Sequence, residues 1–85
     1  MKKILTRTIT FFDQYVTGQI VEKYGLDDMA AIRSFIMSET YKMLLDPTLE
    51  IYKMSPRIVF DMWESEQVTG EPRNSQYIRG RDDDA

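Results

Sequence analysis

A chain of 85 residues makes one domain and leaves no room for two. Cysteine and histidine are both absent. That excludes disulfides and thiolate zinc sites, and removes the commonest metal ligand and the commonest general base near neutral pH. Fourteen acidic against 11 basic residues give a formal charge of -3, a balance that does not draw a protein to phosphate backbones.

A hydrophobic fraction of 42% is enough for a core. A domain this small is marginally stable alone, so a second copy sharing the core is expected. Lys2, Lys3 and Arg7 are the only charges among the first ten residues. Thr6, Thr8 and Thr10 interrupt any apolar run there, and Asp13 and Gln14 follow without a cleavage site. The start therefore does not read as a signal peptide. No run approaches the about 20 apolar residues of a membrane span. A cytoplasmic location is expected.

Leu5, Ile9, Phe12, Val16, Ile20 and Tyr24 repeat at helical spacing, with Phe11, Tyr15 and Val21 widening the stripe. Gly25 stands where a left-handed residue ends a helix. The β-branched stretch Thr6 to Phe12 leaves a short strand or an extended arm open as an alternative for the front. Gly18, inside the helix, is either the site of a close helix crossing or a tolerated exposed glycine.

Asp27 or Asp28 caps a second helix. Its apolar set is Met29, Ile32, Phe35, Ile36, Met43 and Leu44, with Ser38, Glu39 and Thr40 as a polar insert and Asp46-Pro47 as the stop. Pro47 to Met54 suits one helical turn or a short extended piece. Ser55-Pro56 signals a third helix, with Ser at the N-cap and Pro at N1; it carries Ile58, Val59, Phe60, Met62 and Trp63 and ends at Gly70 and Pro72. Residues 71–85 read as a mobile tail, with Tyr77 and Ile78 as its only anchors. The expectation is all-α: a small bundle of three main helices with short links over residues 1–70.

Two polar groups suggest chemistry. Asp61 and Glu64, three apart with Glu66 nearby, suit a divalent cation or acid–base work, or simply a solvated helix face. Ser38, Thr40 and Tyr41 lie beside Lys42, which shares a helical face with Ser38 as in a Ser–Lys nucleophile pair. No glycine-rich turn stands ready as an oxyanion hole, and no catalytic site, cofactor or metal is expected. The ten aromatic residues have few cations among them, unlike the rings of nucleic-acid binders. Most should be core. Trp63, with Tyr52 and Met54, is either core or the centre of a protein interface, where Trp, Tyr and Met are enriched. Tyr52, Met54, Trp63 and Glu64 are the expected partner-binding residues.

The order EKYGLDDMAAIRSFIMSETYKMLLDP followed by IYKMSPRIVFDMWE resembles the DUF3791 group of small bacterial helical proteins. The likeness lies in helix order and aromatic placement over residues 11–66. It implies an accessory or antitoxin-like protein from a toxin–antitoxin-type locus. The expected function is a non-catalytic protein-binding module. The alternatives are a DNA-associated dimeric regulator using the basic N-terminal arm, or an acidic mimic of nucleic acid.

Overall fold

A computed structural model of the chain describes residues 4–75. Lys2, Lys3 and the Tyr77–Ile78 anchor lie outside the described residues. Four α-helices follow in order: α1 (Thr6–Tyr24), α2 (Asp28–Ile36), α3 (Glu39–Leu45) and α4 (Pro56–Thr69). Three-residue 3-10 turns occupy Pro47–Leu49, Ile51–Lys53 and Pro72–Asn74. No strand occurs among the described residues, and none of their helices is long and apolar enough to cross a membrane.

The alternative left open at Thr6 to Phe12, a short strand or an extended arm, is therefore corrected: those residues are helical. Their β-branched preference is overridden because helix puts Phe12, Val16 and Ile20 on one buried face. The start of α1 is still its weak end, since Leu5 at the N-cap offers no side-chain hydrogen bond. Its other end closes as the glycine predicts. Gly25 has φ 71 and its N–H donates to the Val21 carbonyl at 2.9 Å.

The three-helix expectation fails at Met37–Ser38, where the long second helix breaks in two. Ser38 is extended, at φ -87 and ψ 160, and its hydroxyl oxygen accepts from the Tyr41 N–H at 3.1 Å. The remaining N–H groups of the new helix start are met from across the fold. Glu66 on α4 accepts from the backbone of Glu39 (2.8 Å) and Thr40 (2.9 Å), and from the Thr40 hydroxyl (2.9 Å). A carboxylate facing a helix N-terminus is doubly favoured, by charge-assisted hydrogen bonds and by the helix dipole.

Past α3, Asp46 caps the first 3-10 turn through the Thr48 N–H at 2.9 Å. Glu50, at φ 56, reverses the chain into the second turn. Ser55 then caps α4 at the Arg57 N–H, with Pro56 opening the helix and Gly70 (φ 83) ending it. The first part of the expected tail continues the folded body. Pro72 and Ser75 are buried, and the Ser75 hydroxyl donates to Asp61 on α4. The rest of that tail, from residue 76, lies outside the described residues.

The core gathers Phe12, Val16 and Ile20 of α1, Ala31 and Phe35 of α2, and Met43 and Leu44 of α3. Ile51 and the α4 residues Val59, Phe60, Met62 and Trp63 complete it. α1 packs against both α2 and α4, and α3 closes against α4. One flank of α1 thus faces α2 and another faces α4.

Candidate functional site

On the α4 flank Lys23, Tyr24, Trp63 and Glu64 engage one another or the backbone. Trp63 is only 4% exposed; it stacks on Phe60 at 6.1 Å, and Tyr24 meets its ring edge-on at 5.8 Å. Its indole N–H reaches the Ser34 carbonyl at 3.4 Å. Glu64 accepts from Lys23 at 2.6 Å and from the Tyr24 hydroxyl. Burial pushes the Glu64 carboxyl up, but those hydrogen bonds and the lysine charge outweigh it and hold the group below its ordinary range. The Lys23 ammonium also lies over the rings of Tyr24 and Phe60.

Trp63 as the exposed centre of an interface is therefore corrected. A bulky ring at the meeting of α1, α2 and α4 gains more from three apolar neighbours than from water. Trp63 and Glu64 line a shallow apolar groove of about 440 Å³ with Tyr24, Leu26 and Val68. Tyr52 and Met54 do not line it. Both are half-buried and pack against the core instead.

The polar groups that suggested chemistry have separate duties. Asp61 holds Ser75, Glu64 holds Lys23 and Tyr24, and Glu66 caps α3. No grouping of three or more possible metal ligands occurs among the described residues. Ser38 donates to the Phe35 carbonyl at 2.5 Å while it caps α3, and Lys42 pairs with Glu39 at 3.0 Å. The Ser38 hydroxyl and the Lys42 ammonium are thus turned to structural partners, and no Ser–Lys pair forms.

The α2 flank of α1 is different. There the two helices leave an open groove of about 530 Å³. From α1 it is lined by Asp13, Gln14, Thr17, Gly18, Val21 and Glu22, and from α2 by Asp28, Ile32, Phe35 and Ile36. Val21, Ile32, Phe35 and Ile36 are its apolar residues, and among the described lining residues three are acids and none is lysine or arginine. Arg33, the cation of α2, is not in the lining.

Asp13 is the electrostatic oddity of this groove. Its Oδ1 is shut off from solvent and meets no hydrogen-bond donor among the described residues. Burial pushes its carboxyl above the ordinary aspartate value. Tyr41 lies within reach of that charge: burial, and then the negative Asp13, push the phenol up. A buried acceptor without a donor costs free energy, so most proteins avoid it.

Two further features belong to this flank. Gly18 sits in the middle of α1, yet a Cβ there would meet nothing within 4 Å. The close helix crossing is excluded. A mid-helix glycine costs about 1 kcal/mol against alanine, and no contact inside the fold requires it. Here it widens the groove. Second, α2 is apolar beyond the side it buries. Ala31 and Phe35 face the core, whereas Met29 is 67% exposed, Ile32 40%, Ile36 45% and Met37 75%. A helix apolar on nearly every side normally has neighbours on every side.

The sequence places Met29, Ile32 and Ile36 in one apolar set with the buried Phe35, and spacing alone does not separate the exposed members from the buried one. A signal was present. The α2 stripe is wider than a single core contact uses, and Asp13, Gln14, Thr17, Gly18 and Glu22 share one face of α1. No protein-family model, no curated protein and no solved structure matches the chain.

Proposed function

We propose that this chain is a non-catalytic protein-binding module that acts by covering part of its partner. The observation that supports the reading is the outward apolar stripe of α2, Met29, Ile32, Ile36 and Met37, beside an open groove. Contiguous apolar surface of this kind on a small domain marks a contact site. Methionine suits such a surface because its thioether side chain adapts to a partner's shape. The acidic balance of the chain adds long-range attraction toward a basic partner.

The finer form of the proposal is an antidote or accessory subunit of a bacterial toxin–antitoxin-like locus, working in the cytoplasm. Its support is the resemblance of residues 11–66 to the DUF3791 group. Occlusion fits that role, since an antidote has only to block a working surface and needs no chemistry of its own.

The test is reconstitution. The full chain is used as bait in an extract of its source organism. Any protein recovered is purified separately, and the two are titrated in a calorimeter. A saturable complex of defined stoichiometry, with the negative heat-capacity change of apolar burial, is the expected result. If no recovered protein binds when both are pure, the reading fails. Inhibition of a growth-arresting partner by the chain would establish the antidote form.

A further inference from the structure

We propose that the groove between α1 and α2 takes a basic amphipathic helix of the partner protein, its apolar face on Val21, Ile32 and Ile36 and its lysine or arginine side chains on Asp13, Glu22 and Asp28. The inference rests on the binding-module reading and adds to it the place and the chemistry of the partner.

Charge decides the occupant. Among the described residues the lining carries three carboxylates and no cation. An acidic or neutral helix would leave them unanswered. A lysine or arginine laid over the groove gives its lining carboxylates charge-assisted hydrogen bonds, which are stronger than neutral ones. Shape agrees. The groove is a trough between two helices rather than a closed cavity, and a third helix placed in such a trough presents anchors at i, i+3, i+4 and i+7.

Gly18 is an independent observation. No neighbour within the fold needs the glycine, and its backbone is helical rather than left-handed. Its absent side chain leaves space on the groove side of α1, where a leucine would project among Gln14, Val21 and Ile32. Ile32 and Ile36, 40% and 45% exposed, give the bound helix apolar contacts along the groove.

The test uses the full chain and two synthetic probes: a short amphipathic helix of leucine and lysine, and its twin with glutamate in place of lysine. Binding is read by fluorescence anisotropy. The lysine helix is expected to bind and the glutamate twin to fail. Gly18→Leu should weaken the lysine helix by about tenfold or more while the variant melts at or above the native temperature. Should Gly18→Leu not fold, the Asp13→Asn/Ile36→Ser double variant takes its place and should show the same loss. Glu39→Gln/Glu50→Gln, which removes two acids outside the groove, should bind as the native chain does.

Equal binding of both probes, or an undiminished signal with the groove variants, overturns the proposal. A native chain that sediments as a dimer and becomes monomeric on Gly18→Leu also overturns it, in favour of a second copy in the groove. The two levels separate cleanly with a recovered partner. One that binds the Gly18→Leu chain as tightly as the native chain refutes the groove and leaves the binding-module reading standing.

Discussion

The two flanks of α1 are built from the same helix and treat their polar groups in opposite ways. On the α4 side Glu64 is met by Lys23 and Tyr24, and the rings of Tyr24, Phe60 and Trp63 pack into one another. On the α2 side Asp13 has a buried oxygen without a donor among the described residues, a Cβ at Gly18 would meet nothing within 4 Å, and Ile32 and Ile36 are exposed. A satisfied flank contributes stability. An unsatisfied one withholds it and keeps free energy available for a ligand. The difference teaches where to look in a small protein with no catalytic group in view: at the place where the fold is less stable than its own residues allow.

The sharpest way to break this comparison is to remove the ring at the centre of the α4 flank. Trp63→Ala should cost about 3–5 kcal/mol, as expected for removing a large buried aromatic. In a domain of this size that is enough to unfold much of the population, read by urea denaturation. A small loss would mean that the α4 seam is not the structural half. Next comes the carboxylate that joins α3 to α4. Glu66→Ala should cost about 2–3 kcal/mol, because three donors at the start of α3 lose their acceptor at once.

The two carboxylates of α1's flanks should respond to pH with opposite signs. Glu64 is held below its ordinary value of 4.5. Its contribution is present above that pH and is lost as pH falls through the lowered value. Asp13 is raised above 3.8. Its contribution is present below 3.8 and is lost as pH rises through the raised value. Denaturation midpoints measured from pH 3 to pH 7 should therefore show Glu64→Gln less stable than the native chain near neutrality, the gap closing in acid. Asp13→Asn should instead be more stable near neutrality, with its advantage also fading in acid. Matching slopes for the two variants would dissolve the contrast.

The smallest expected effect is Gly18→Ala. It should raise stability by up to about 1 kcal/mol, seen as a melting temperature higher by roughly 4–8 °C for a domain of this size. A loss of stability would mean that the glycine serves the fold after all.

The sequence by itself determined the parts of this protein that depend on near neighbours. Gly25, Asp27, Ser55-Pro56 and Gly70 mark helix ends because capping is settled within four residues. The phase of Phe12, Val16 and Ile20 fixes the buried face of α1 for the same reason. Only the tertiary structure decided the rest. A new helix starts after Ser38 because Glu66, 28 residues later, accepts from the N–H groups of Glu39 and Thr40. Trp63 is core because α1 and α2 close around it. Ile32 and Ile36 are exposed although their spacing suits a core, because α1 and α4 leave that side of α2 uncovered. Asp13 has a solvent-shielded oxygen although its place on α1 reads as polar. Periodicity reports which residues share a face. It carries no information about what that face meets, since the meeting is between segments far apart in the chain.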